Sequence, residues 1–113
     1  MARRLPYRAQ TATGNVFDFD FPLHRDTAEP VHVANILTAI LGAVDRELQL
    51  LGSVGNGDVL QGLAMALAVR TRMLGRRSDQ VDALVRELLE AALDAPVEPS
   101  PSNVDADTPR DIH

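Results

Sequence analysis

The stretch Asp58-Val59-Leu60-Gln61-Gly62-Leu63-Ala64-Met65-Ala66-Leu67-Ala68-Val69-Arg70-Thr71-Arg72-Met73-Leu74 is apolar on two sides at once. At about 100° per residue, Leu60, Leu63, Leu67 and Leu74 form one stripe. Val59, Gly62, Ala66, Val69 and Met73 form a second beside it, with Arg70 between them. A helix with so much apolar circumference needs neighbours on both sides. Residues 58–74 are therefore read as a central helix, wrapped by other parts of the chain or by a second copy of it.

Working outward, a first helix is expected over residues 29–51. Pro30 suits a first helical turn, with Asp26, Thr27 or Glu29 as cap, and Gly52 ends the helix. Val33, Ile36, Leu37, Ile40, Leu41, Val44, Leu48 and Leu51 fall in one arc, with Asn35, Thr38, Asp45, Arg46 and Gln49 opposite. The link through Gly52 to Gly57 is short, which predicts that the first two helices are antiparallel neighbours. A third helix is read over residues 79–94, capped by Ser78 and striped with Val81, Leu84, Val85, Leu88, Leu89 and Ala92.

Upstream of the helices, residues 5–22 read as a β-hairpin turning at Thr13-Gly14-Asn15-Val16, where Gly14 supplies the positive φ of a two-residue turn. Phe17, Phe19 and Phe21 alternate with Asp18 and Asp20, so one face is apolar and the other wet. An isolated hairpin is marginal in water and must lay its Phe face on something. Downstream, residues 95–113 carry Pro96, Pro99, Pro101 and Pro109 among Ser, Asn and Asp without periodicity, which predicts a disordered acidic tail. The fold class that results is α+β and mostly α. It has an N-terminal hairpin packed on a three-helix antiparallel bundle, all within one domain over residues 1–94.

Composition narrows the class. The chain has 113 residues, 45% of them hydrophobic, with three Phe, one Tyr and no Trp, so its apolar surface is aliphatic. With no cysteine there is neither a disulfide framework nor a thiolate metal site, which suits a reducing compartment. All eleven basic residues are arginine, the signature of a GC-rich bacterial genome. Four of the five net negative charges fall in residues 94–113. Arg3 and Arg4 are followed by no apolar run of the kind a secretory signal needs. No stretch is long and apolar enough for a membrane span. A soluble, cytoplasmic protein is expected.

Four clusters deserve weighing as chemistry. Arg70 lies inside an apolar stripe and needs an acidic partner or a route to water, and Glu47 on the first helix is the expected mate. His24, Asp26, Glu29 and His32 are the candidate metal ligands, with Glu29 and His32 at i, i+3 spacing. The chain holds no second copy of that pattern, which only a dimer could supply by symmetry, and a solvated helix start is the favoured reading. Arg70, Arg72, Arg76 and Arg77 form a candidate phosphate patch, extended by Arg3, Arg4 and Arg8, although charge at a helix C-terminus also complements the dipole. The Gly52–Gly57 loop has no Lys and follows a helix, unlike a phosphate-binding loop. No arrangement of nucleophile and base, nor a carboxylate pair in an apolar setting, points to an enzyme, and no cofactor is implied.

The order of hairpin, helix, Gly-rich break and small-residue-rich helix over residues 5–74 resembles the ZapA family of bacterial cell-division proteins. The carriers are Thr13-Gly14-Asn15 and Gly55-Asn56-Gly57-Asp58 before Leu63-Ala64-Met65-Ala66-Leu67-Ala68. The resemblance implies an oligomer that binds a protein filament. In that family the second helix continues as a coiled coil, whereas here Gly75 breaks it, and no site residues carry over. The functional expectation is a homodimeric protein-interaction or regulatory adaptor, self-associating through Val59, Gly62, Ala66, Val69 and Met73. A nucleic-acid-binding regulator and a metal-binding helical protein are the alternatives.

Overall fold

A computed structural model describes residues 3–10, 14–74 and 79–99. In chain order the elements are β1 (Arg4–Gln10), β2 (Val16–Pro22), α1 (Pro30–Leu51), α2 (Asn56–Arg72), α3 (Asp79–Leu93) and β3 (Val97–Pro99). The architecture is α+β, an antiparallel sheet of order β1-β2-β3 joined by three helices. No helix among the described residues is long and apolar enough to cross a membrane.

Alternation builds the sheet. The register sets Leu5 opposite Phe21, Tyr7 opposite Phe19 and Ala9 opposite Phe17, so one face is a continuous apolar surface. The Phe19 and Phe21 rings stack at 5.1 Å between centroids. The other face is laced by charge: Arg8 grips Asp18 through two bonds of 2.7 and 3.1 Å, and Arg4 reaches Asp20 at 2.8 Å. Pro6, which lacks an N–H, stands opposite Asp20 on the outer strand, where proline is tolerated. Gly14 has φ +96°, the left-handed region expected of it. The described ladder runs as far as Gln10 opposite Val16. Residues 11–13 lie outside the described set.

The hairpin is not alone. Val97 pairs with Phe19, Glu98 with Asp18 and Pro99 with Phe17, and the Asp20 N–H donates to the Pro96 carbonyl at 3.1 Å. The start of the expected tail is therefore an edge strand. Val97 and Pro99 extend the phenylalanine face, and an edge position spares Pro99 the missing donor. Residues 100–113 of that tail lie outside the described set.

Helix boundaries follow local chemistry. Pro30 opens α1 behind an extended Glu29, and Gly52 closes it with φ +84°, its N–H donating to the Leu48 carbonyl at 3.0 Å. Asp58 lies in the first turn of α2 and Arg70 and Arg72 in its last, both favourable to the helix dipole. Tyr7 and Thr38 share a hydroxyl hydrogen bond of 2.8 Å that pins α1 on the sheet.

The three helices follow the sheet in a helical assembly whose principal packings are α1 on β1, α3 on β2 and α2 on α3; the first two helices are not among these principal pairs despite their short link. Thr38, on the polar side of α1, meets β1 through Tyr7, while Val33, Ile36, Leu37 and Ile40 of the apolar stripe line a groove with Leu5 and Phe21 and stay partly open. Helix α3 has principal neighbours on two sides, β2 and α2.

Asp18 sits below its ordinary carboxylate value because Arg8 hydrogen-bonds its charged form, and the same bond raises the Arg8 guanidinium. A depressed folded-state value contributes stability above the ordinary value of about 3.9 and loses it as pH falls through the folded value. Asp18→Asn should therefore flatten the acid limb of a thermal-unfolding profile below about pH 4 and leave it unchanged near neutrality apart from an offset. Gly52→Ala should lower stability by about 1 kcal/mol, because a Cβ is strained at that φ although the space around it is open, as read by denaturant unfolding.

Candidate interaction surface

Helix α3 separates two apolar grooves. The first, about 750 Å³, lies among the sheet, α1 and α3 and is lined by Leu5, Phe21, Val33, Ile36, Ile40 and Leu88 among others. The second, about 620 Å³, lies between α2 and α3, with Leu60, Leu63 and Leu67 facing Val85, Leu89 and Leu93. These two sets come from opposite flanks of the α3 stripe, which is why one helix can serve both.

Among the described residues no apolar side chain is fully buried, and the one buried residue is Thr71, 8% exposed. Its hydroxyl donates to the Leu67 carbonyl at 2.8 Å, which satisfies it within α2. Large apolar side chains stand open along the helices: Ile36 is 61% exposed, Val69 59% and Met73 65%. The two stripes anticipated on α2 are both real in geometry. Leu60, Leu63 and Leu67 turn to α3, whereas Gly62, Ala66, Val69 and Met73 are exposed and Val59 half-buried. Among the described residues the second stripe faces no principal packing partner.

Polar contacts hold the grooves open at defined spacings. Arg72 grips Asp82 with bonds of 2.9 and 3.3 Å, a forked contact that ties the end of α2 to the start of α3. At the first groove, His24 bridges the connector after β2 to α3. Its Nδ1 accepts the Asp26 N–H at 3.1 Å, so in the neutral ring Nε2 carries the proton. That Nε2 is buried without a hydrogen-bond partner among the described residues, with the Glu87 carboxylate 3.5 Å away. Arg3 donates to the Thr27 carbonyl and its own carbonyl accepts the Leu23 N–H at 2.9 Å, so the same connector is strapped to β1.

The other sequence candidates do not come together. Arg70 and Glu47 are both exposed and no ion pair joins them; Arg70 has the route to water that replaces a partner. His24, Asp26, Glu29 and His32 do not converge, and among the described residues no three His, Asp or Glu side chains could hold a metal ion. His24 turns instead toward Asp26 and the distant Glu87, a neighbour that sequence spacing could not reveal. In the arginine patch, Arg72 is spent on Asp82, Arg70 is exposed, and Arg76 and Arg77 lie outside the described residues. Arg4 and Arg8 are likewise engaged by Asp20 and Asp18.

Comparison with family models, curated proteins and solved structures finds no match to this chain.

Leu63, half-buried in the seam between α2 and α3, makes a measurable prediction. Leu63→Ala should cost about 1–2 kcal/mol, below the range for fully buried leucines. Leu50→Ala, at a side chain 81% exposed, should stay within about 0.5 kcal/mol of the parent. Urea denaturation of the three proteins distinguishes these values.

Proposed function

We propose that this chain is a non-enzymatic, self-associating protein-interaction module of a bacterial cytoplasm. The observation that carries the reading is that no apolar side chain among the described residues is fully buried, in a chain whose residues are 45% hydrophobic. Folded domains of this size are held by a buried core, because burial is the main force opposing chain entropy. A chain that leaves Ile36, Val69 and Met73 open has apolar surface to place against something else. Self-association is the economical answer, since every copy then brings the surface that its neighbour needs. The cysteine-free, lysine-free composition supports the compartment.

Regulation by docking on a further protein is the role that fits such a module. The arginines at the end of α2 favour this over phosphate binding, since Arg72 is already engaged by an acid. Size exclusion with light scattering tests the reading, and a mass of two chains or more is expected across the micromolar range. The thermal midpoint should rise with protein concentration, as mass action requires when association stabilises the fold. A monodisperse monomer with a concentration-independent midpoint would overturn the proposal.

A further inference from the structure

We propose that His24 is a pH-operated latch: when its ring takes up a second proton, the connector between β2 and α1 is drawn onto α3 through Glu87. The inference is independent of self-association. It concerns the polar part of the groove among the sheet, α1 and α3, where His24, Arg3, Arg25 and Glu87 stand among apolar side chains.

In its neutral form the ring is half satisfied. Nδ1 accepts the Asp26 N–H at 3.1 Å, which places the single ring proton on Nε2. That Nε2 is buried, in a side chain 11% exposed, and finds no hydrogen-bond partner among the described residues. Oε2 of Glu87 lies 3.5 Å away, too far for a good hydrogen bond and near enough to attract a charged ring. A buried donor left unpaired is costly, whereas the same donor on a charged ring facing a carboxylate makes one of the stronger hydrogen bonds a protein can form.

Protonation turns both ring nitrogens into donors. Nδ1 gives up the Asp26 N–H, and the Asp26 carboxylate, 3.7 Å from the same nitrogen, stands ready to accept in its stead. Nε2 then faces Glu87 with a positive charge behind it. Both acid side chains are more than half exposed, so each can swing onto the ring without disturbing packed neighbours. The opposing charges in this part of the groove are Arg3, just before β1, and Arg25, next to His24 in the connector. Arg3 already spends a guanidinium N–H on the Thr27 carbonyl, and the groove-lining residues of α1, Val33, Ile36, Leu37 and Ile40, bring no charge. One carboxylate on the connector and one on α3 thus flank the ring. The attraction to Glu87 exists only while the ring is charged, so it is present on the acid side of the histidine range of about pH 5–8 and is lost as pH rises through it.

The full-length protein and its Glu87→Gln variant test the latch, because the amide keeps the size of the side chain and removes its charge. In urea unfolding at about pH 5.5 and about pH 8, the variant's unfolding constant is expected to exceed the parent's about threefold at the lower value, within the range for a partly exposed ion pair, and to match it at the higher. NMR of the histidine rings identifies the source. The His24 signals should titrate at a lower pH in the variant than in the parent, while those of His32 stay in place. An equal effect of the substitution at both pH values would overturn the proposal, and so would superimposable His24 curves in the two proteins.

Discussion

Pairing of β1 with β2 sets everything that follows, because it decides which side of the sheet the helices can use. Side chains alternate across a strand, so a slip of one residue would carry Phe17, Phe19 and Phe21 to the charged face. Two independent sets of contacts oppose that slip: the aromatic and aliphatic pairs on one side, and the Arg8–Asp18 and Arg4–Asp20 bridges on the other. Exposed ion pairs add little to stability. Here their value lies in specificity, since a shifted register would set charges against rings. The apolar face then seats α1 through Tyr7 and Thr38, and the segment after α3 returns to close the sheet with Val97.

From that base α3 becomes the shared neighbour, and the Arg72–Asp82 fork ties the end of α2 to its start. The result is a layered chain with α3 as its spine, touching β2 on one side and α2 on the other. Such an arrangement gives up interior volume and gains two long apolar furrows. That exchange is unusual for a chain of this length, whose surface-to-volume ratio already makes burial scarce.

Much of the local structure was legible in the sequence. Periodicity located all three helices to within two residues at each end, and Pro30 and Gly52 marked the start and the end of α1 for stereochemical reasons. Strand alternation identified the phenylalanine face. What could not be read was which flank of each stripe would be used. The second stripe on α2 was visible, but an amphipathic pattern states how much surface wants cover and is silent on whether the same chain provides it. The strand at Val97 was lost because three residues among prolines carry no period, and its pairing depends on a sheet that lies some seventy-five residues earlier. His24 and Glu87 are equally remote, and the local spacing of His24 with Asp26, Glu29 and His32 pointed to a cluster that the connector's path does not form.

The outer strand carries a last consequence. A free strand edge is a template for endless stacking, the route by which exposed sheets grow into amyloid-like fibres. On β1 that edge is interrupted by Pro6 and flanked by Arg4 and Arg8, while the opposite edge is only the three residues of β3. Among the described residues, both borders are thereby poor templates for strand addition, and the sheet's own edges disfavour that route of growth.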